Sequence, residues 1–288
     1  MVTMKKLTTV AVALLLGCGG KAGSGADGPG IDAGVDHGNT CKGAGFGGGE
    51  SPQPVTSATA TIIKDTAGVP VAGLSVWIAG LDLTSAPGKT SAAGAVTVSA
   101  NMNFKSPALR FGDGLVYPQL LAKIDEPATT FAFLVTAKFP DSGPALVPGS
   151  VVKSGDLTLA LPAGGAIQVD TLSYDTPDKQ ALRAVTLPVS EQVALIRGMG
   201  FEILLAVAPA ATTFCPPAAV TVPNSPEWPA GTSAEFFVMG GDVSQEWAPW
   251  AAWTHITDGV VSADGKTITT YAAGGLPVLA TLAIRKGR

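Results

Sequence analysis

The stretch Val260-Val261-Ser262-Ala263-Asp264-Gly265-Lys266-Thr267-Ile268-Thr269 decides the class of fold. Two short runs of β-branched residues flank an Asp-Gly pair, and β-branched side chains are typical of strands. Aspartate and glycine both tolerate positive φ, so this dipeptide predicts a type I′ turn between two antiparallel strands. The stretch therefore predicts a β-hairpin with Asp264 and Gly265 at its tip.

Short strands of this kind recur from Val55 to the C-terminus, and Gly, Pro or Asp occupies nearly every gap between them. The predicted strands cover residues 56–63, 74–78, 95–99, 131–138, 156–161, 166–172, 183–187, 201–207, 218–222, 234–239, 266–271 and 278–284. Two short helical stretches are predicted, at 118–124 and 178–183. Short strands separated by turn residues predict an all-β chain with one or two antiparallel β-sandwich domains.

One part of the chain resembles a known module. The run Asp65-Thr66-Ala67-Gly68-Val69-Pro70-Val71-Ala72-Gly73-Leu74-Ser75-Val76, with the later Thr90-Ser91-Ala92-Ala93-Gly94-Ala95-Val96, resembles carboxypeptidase-regulatory-like and bacterial Ig-like domains. The resemblance implies an Ig-like sandwich over residues 55–160 that acts as a non-catalytic spacer or binding module. Residues 161–288 then form a second, C-terminal β-rich domain.

The N-terminus has the pattern of an export signal. Lys5-Lys6 precedes an uncharged run over residues 7–16. Ten helical residues rise about 15 Å, half the thickness of a bilayer core, so this run is too short to span a membrane. Leu15-Leu16-Gly17-Cys18 follows it and resembles the lipobox of bacterial lipoproteins. The resemblance implies that residues 1–17 are removed as a signal peptide and that Cys18 is acylated.

The acyl chains on Cys18 make the lipid bilayer the first expected partner of the mature chain. Gly19, in place of Asp, resembles the pattern that is exported onward to an outer membrane. We therefore expect a location in the bacterial cell envelope, on the periplasmic or surface face of the outer membrane. Residues 18–54 are rich in Gly, Ala, Ser and Asp. Such a segment buries too little apolar surface to offset its chain entropy, and it predicts a flexible linker.

Composition excludes several classes of ligand. The net charge is −4, and removal of residues 1–17 takes away two lysines and no acidic residue. The acidic mature chain has no electrostatic footprint for nucleic acid. The linker residues Asp27, Asp32, Asp36 and His37 match no Ca²⁺ loop and no Zn²⁺ motif, so neither a metal nor another cofactor is predicted.

The three cysteines are Cys18, Cys41 and Cys215. With Cys18 lipidated, Cys41 and Cys215 remain, an even number in an oxidising compartment. They either form a disulfide that ties the N-terminal segment to the C-terminal half or stay as two free thiols. The sequence leaves both alternatives open.

Motifs for catalysis are missing from the sequence. It has two histidines, and it contains no G-x-S-x-G, C-x-x-C or H-E-x-x-H pattern. Pro87-Gly88-Lys89-Thr90 imitates the end of a phosphate-binding loop, but Leu83 occupies the position of the required first glycine. We therefore predict no catalytic residue and no enzymatic activity.

Four of the five tryptophans, Trp228, Trp247, Trp250 and Trp253, lie close together in the sequence. Exposed indole faces stack on sugar rings or fill pockets of a partner, whereas buried ones form a local core. The low aromatic content, 6%, favours the core. The sequence thus predicts an anchored structural or interaction protein whose partner is an unidentified protein or polysaccharide of the envelope. The alternative is a glycan- or ligand-binding module with these tryptophans as its platform.

Overall fold

The computed structural model describes residues 41–46, 50–141, 143–241, 246–272 and 274–288. The signal peptide at 1–17, the lipidation site Cys18 and the acidic linker positions between Asp27 and His37 lie outside these ranges, so they stay predictions. No helix within the described ranges is long and apolar enough to cross a membrane.

Nine strands form in the first half of the described chain. They are β1 (Gln53–Ala60), β2 (Ile63–Lys64), β3 (Ser75–Ala79), β4 (Gly88–Lys89), β5 (Val96–Phe104), β6 (Ala108–Phe111), β7 (Leu120–Lys123), β8 (Ala128–Phe131) and β9 (Leu134–Val135). Alternation explains them locally, because successive side chains of a strand point to opposite faces. At the start of β5, Val96 and Val98 are buried while Thr97 and Ser99 are exposed.

Eleven strands follow in the second half. They are β10 (Val151–Ser154), β11 (Leu157–Ala160), β12 (Ala166–Gln168), β13 (Arg183–Thr186), β14 (Ile203–Ala208), β15 (Thr212–Pro223), β16 (Ser233–Met239), β17 (Trp253–Val261), β18 (Thr267–Thr270), β19 (Leu276–Leu279) and β20 (Leu282–Lys286). Helix in the described ranges is limited to a 3₁₀ turn at Val189–Glu191 and a single turn, α1, at Val193–Ile196. The predicted all-β class is confirmed.

The first nine strands form three small sheets. One has the order β5-β1-β8, a second has the order β4-β3-β6-β7, and β2 pairs with β9. Strand β1 runs antiparallel to β5 and parallel to β8. In the four-stranded sheet every neighbouring pair is antiparallel. Apolar side chains of the three-stranded and four-stranded sheets belong to one buried cluster, so the two sheets share a core.

The second half forms one long sheet with the order β10-β11-β15-β18-β17-β16-β20-β14-β13, and β12 and β19 pair with β15 beside that path. The sheet curls until its two end strands approach each other. Their approach is marked by Ala184 of β13, whose N–H donates to Ser154 Oγ of β10 at 3.0 Å. The concave interior is filled by a second apolar cluster that includes Leu159, Phe214, Phe236 and Ile284.

The first apolar cluster also receives side chains from the second half of the chain. Leu204, Phe237, Met239 and Ala283 join the residues of the smaller sheets in it. The packing therefore continues across position 160, where the sequence analysis divides the two domains. That division, and the Ig-like sandwich within residues 55–160, stay predictions.

The hairpin at Asp264 and Gly265 is present, but its turn differs from the predicted type I′ turn. Strands β17 and β18 pair up to Val261 and Ile268, and Ser262 N donates to Thr267 O at 2.8 Å. Only Gly265 of the two central residues has a positive φ, 72°. The carboxylate of Asp264 accepts from Ser262 Oγ at 2.6 Å and from Lys266 N at 3.1 Å, which stabilises a wider loop.

The prediction of helix at 118–124 and 178–183 is wrong. Residues 118–124 contain strand β7, whose residues Leu120, Leu121 and Ala122 are all buried. A strand buried on both faces shows no alternation, so its sequence resembles a helical segment. Residues 178–183 form turns that lead into β13.

Candidate functional site

Both halves of the chain contribute to one cavity of about 360 Å³. The region of the four-stranded sheet supplies Arg110 of β6, Leu121 of β7 and Gln119 just before β7. The end of β16 and the two residues after it supply residues 238–241. The remaining lining comes from loops and from β15 and β19, with Asp113, Gly114, Asp170, Ser173, Tyr174, Ala210, Ala211, Thr213, Glu246, Trp247, Ala248, Trp250, Val278, Ala280 and Thr281.

Arg110 reaches the cavity because of the register of the four-stranded sheet. It lies directly opposite Trp77 of β3 on one side and Leu121 of β7 on the other. Directly opposed residues share one face of a sheet, so these three side chains form a row across it. The guanidinium carbon of Arg110 lies 4.7 Å from the centre of the Trp77 ring, a cation–π contact. Burial lowers the pKa of Arg110 from its ordinary value.

Trp247 and Trp250 line the cavity from the segment that follows β16. Their side chains are largely buried, with 5% and 4% of their surface exposed. The backbone of Gly240 holds this segment, since Gly240 N donates to Ala252 O at 2.9 Å and Ala251 N donates to Gly240 O at 2.8 Å. A Cβ at Gly240 would lie 1.9 Å from Pro249 O, so only glycine permits this approach.

A third part of the lining is built around Tyr174. Its hydroxyl accepts a hydrogen bond from Ala210 N at 2.9 Å, and burial raises its pKa. Asp113 Oδ1 accepts from the backbone N–H groups of residues 115, 116 and 117 at 2.9, 2.8 and 3.0 Å. Asp170 Oδ1 accepts from Leu172 N at 3.0 Å, and a hydrogen bond with the Ser173 side chain lowers the pKa of Asp170. Both carboxylates are therefore held in fixed positions.

Glu246 connects the cavity to the segment at 41–46. Its Oε1 accepts from Gly43 N at 3.2 Å, and its backbone carbonyl accepts from Gly45 N at 3.1 Å. The same segment carries Cys41, which forms a disulfide with Cys215 of β15. Residues 41–46 of the predicted linker 18–54 thus pack on the β body, and β1 begins at Gln53.

The structure divides the four predicted platform tryptophans into two groups. Trp247 and Trp250 line the cavity together. Trp228 is buried elsewhere and donates from Nε1 to Glu202 Oε2 at 3.1 Å. Trp253 donates from Nε1 to Leu195 O at 2.8 Å and packs edge-on against Phe201. All four rings therefore pack in or against the apolar core, and Trp247 and Trp250 also border the cavity.

The described ranges contain no group of three or more His, Cys, Asp or Glu side chains that could hold a metal ion. His255, the histidine within these ranges, lies with its Nε2 2.8 Å from Asp258 Oδ1. Neither residue lines the cavity. The polar side chains of the lining carry carboxylates, a guanidinium, a phenol, the amide of Gln119 and the hydroxyl groups of one serine and two threonines.

Sequence reasoning did not identify Arg110, Asp113, Asp170, Tyr174 or Glu246 as site residues. One signal for Arg110 was present in the sequence. A single arginine interrupts the otherwise apolar run Ala108-Leu109-Arg110-Phe111, in a strand whose other residues are buried. A charged residue in such a position needs either a partner or a solvent-filled cavity.

No protein-family model and no curated protein matches this sequence. Among solved structures, the chain is similar to a crystal structure from Bacteroides uniformis ATCC 8492 described as a "putative carbohydrate binding protein". The identity is 11%, the TM-score is 0.20, and the similarity covers 82% of this chain and 100% of that chain. Similarity at this level carries no argument about function.

Proposed function

We propose that this chain is a lipid-anchored protein of the bacterial cell envelope whose β-rich body binds a saccharide in the cavity, without catalysis. The anchor is the acylated Cys18 of the lipobox-like sequence Leu15-Leu16-Gly17-Cys18. The binding site rests on one observation: Trp247, Trp250 and Tyr174 line the same cavity as three carboxylates and a guanidinium.

This combination suits the surface of a sugar. A pyranose ring has apolar C–H faces and a rim of hydroxyl groups, so it needs flat aromatic surface and hydrogen-bonding groups at the same time. Trp247, Trp250 and Tyr174 are largely buried, and they supply apolar surface where they border the cavity. Asp113, Asp170 and Glu246 supply acceptors for hydroxyl protons. The cavity volume of about 360 Å³ lies within the range of small-molecule sites, roughly 300 to 1,000 Å³.

A binding role suits the carboxylates better than glycoside hydrolysis. A general acid for that reaction needs a carboxyl group whose pKa is raised, so that it keeps its proton. The pKa of Asp170 is lowered by its hydrogen bond with Ser173. Asp113 Oδ1 accepts hydrogen bonds from three backbone N–H groups, and these bonds fix the Asp113 carboxylate in place as an acceptor.

A second candidate is recognition of a protein partner at the rim of the cavity. Leu172 lies between the lining residues Asp170 and Ser173, and 95% of its surface is exposed. Its side chain offers apolar surface and no hydrogen-bonding group, so it suits a protein contact more than a sugar contact. Leu172→Ser leaves saccharide binding intact if the first proposal is correct, and it removes partner binding if the second is.

The test is binding of the mature protein to a saccharide panel, measured by calorimetry, with and without a filled cavity. Gly241 lines the cavity, and among the described residues the nearest atom to a Cβ there would be Leu121 Cδ1, at 4.0 Å. Gly241→Phe should therefore fill the cavity with little strain and abolish binding. Ala145→Phe, at an exposed position outside the lining, is the control. A panel without a ligand, or full binding by Gly241→Phe, contradicts the proposal.

A further inference from the structure

We infer that the saccharide is an acidic sugar, whose carboxylate pairs with Arg110 and whose hydroxyl groups donate to the carboxylates of the cavity. This inference rests on the proposed function and specifies its ligand class.

Arg110 is half-buried, and its Nε is buried without a hydrogen-bond partner among the described residues. No carboxylate in the described ranges lies within ion-pair distance of its guanidinium. The guanidinium stacks on Trp77 with one face, and its buried Nε–H has no acceptor among the described residues. A charge taken partly out of water is costly unless an opposite charge and hydrogen bonds compensate it.

Of the other four arginines in the described ranges, Arg288 is exposed and three form ion pairs. Arg285 pairs with Glu235 at 2.6 Å and Arg183 with Asp178 at 3.2 Å. Arg197, which is exposed, pairs with Asp125. Arg110 differs from these three, and it is the one that lines the cavity. A guanidinium group binds a carboxylate through two parallel N–H···O hydrogen bonds. A ligand carboxylate therefore fits the edge of Arg110 that carries the unpaired Nε.

The carboxylates of the cavity restrict the ligand further. Asp113, Asp170 and Glu246 would repel a small, purely anionic ligand, since they outnumber the one cation in the lining. A neutral sugar would satisfy these acceptors and leave Arg110 without a counter-charge. A sugar acid such as a hexuronate carries one carboxylate beside several hydroxyl donors, and it satisfies both requirements.

The experiment measures calorimetric affinities of the mature protein for D-glucuronate, D-galacturonate, their neutral parent sugars and D-glucuronamide. The amide keeps the shape of glucuronate without its charge. We expect at least one of the two uronates to bind about tenfold or more tightly than its neutral parent, with glucuronamide as weak as glucose. This comparison requires no variant, so it holds even if a substitution at Arg110 impairs folding.

Two variants locate the effect. Arg110→Met keeps the apolar stem and removes the charge, so it should lower uronate affinity to that of the neutral sugar. Arg197→Met removes an arginine outside the cavity and should leave the preference unchanged. Circular dichroism and the melting temperature confirm that each variant is folded.

The outcomes separate the two proposals. Equal affinity for uronates and neutral sugars, or a uronate preference that persists in folded Arg110→Met, overturns this inference and leaves saccharide binding in place. If neither the acids nor the neutral sugars bind, both proposals fail.

Discussion

Cys41 is joined by a disulfide to Cys215, 174 positions further along the chain, with 5.0 Å between their Cα atoms. Cys215 lies on β15 close to Thr213 of the cavity lining, and the segment that carries Cys41 contacts Glu246 through Gly43 and Gly45. The chain that leads from the predicted anchor is thus fixed to the β body beside the candidate site.

Removal of this disulfide should destabilise the protein and release the segment at 41–46. The loop-entropy model gives about 5 kcal/mol as an upper figure for the double variant Cys41→Ser/Cys215→Ser. Urea unfolding with and without reductant measures the loss, and limited proteolysis should cut near residue 43 only in the variant. The Gly- and Asp-rich composition predicts rapid cleavage of residues 19–40 in both proteins. Equal protection of the 41–46 segment in the two proteins would contradict this account.

Two adjacent glycines give a matched test of the cavity segment. Gly240→Ala should lower the free energy of unfolding by about 1 to 3 kcal/mol or more, because the new Cβ would lie 1.9 Å from Pro249 O. Gly241→Ala should change the free energy of unfolding by less than about 0.5 kcal/mol, because the nearest atom among the described residues would lie 4.0 Å from the new Cβ. The denaturant midpoints of both variants measure these losses of stability. Equal losses would show that Gly240 does not hold the segment that carries Trp247 and Trp250.

Strands could be predicted from the sequence where apolar and polar residues alternate, as in β5, or where turn residues flank β-branched ones, as in β18. Strand β7 was mistaken for helix because Leu120-Leu121-Ala122-Lys123 is buried on both faces and favours helix by composition. Strand β17 was missed except at its end, since Trp253, His255 and Asp258 break the expected pattern.

The candidate site was harder to predict because its residues meet only through strand register and loop packing. Trp77, Arg110 and Leu121 lie far apart in the sequence and form a row only when β3, β6 and β7 pair in one register. The local density of tryptophans indicates a site at Trp247 and Trp250, but the same pattern includes Trp228 and Trp253, which do not line the cavity. Sequence proximity does not specify which side of a sheet a ring faces.

Trp247→Ala and Trp250→Ala should each destabilise the protein by about 3 to 5 kcal/mol, since each ring is almost fully buried. They should also weaken ligand binding, because both rings line the cavity. Trp250→Phe keeps most of the packing and separates the two effects. Leu172→Ala, at an exposed position, is the control and should cost less than about 0.5 kcal/mol. An unchanged melting temperature for Trp250→Ala would show that the ring packs on little besides the ligand.

Cys18→Ala should abolish lipid labelling and move the protein from the membrane fraction to the soluble fraction. The physical reason is that the acyl chains on this thiol supply the membrane affinity, roughly 0.8 kcal/mol per buried CH₂ group. The double variant Cys41→Ser/Cys215→Ser, which removes the disulfide and keeps Cys18, should keep both the label and the membrane association. Continued membrane retention of Cys18→Ala would contradict the lipoprotein assignment.

Tyr174 should make the protein sensitive to alkaline pH. Burial raises its pKa above the ordinary value of 10.0, because the ionised phenolate is poorly solvated inside the protein. The unfolded chain therefore loses this proton at a lower pH than the folded chain. The resulting contribution to stability is complete below about pH 10 and is lost as the pH rises through the folded-state pKa.

Tyr174→Phe should reduce this alkaline loss. At neutral pH the free energy of unfolding of the variant should be about 1 kcal/mol lower, because the hydroxyl that accepts from Ala210 N is missing. Above about pH 10 the stability of the variant should fall less steeply than that of the wild type. Tyr271→Phe, at a position that is 47% exposed and outside the cavity lining, is the matched control. The measurement is urea unfolding from neutral pH to about pH 11. Parallel curves for wild type and Tyr174→Phe would mean that Tyr174 ionises equally in the folded and unfolded chains.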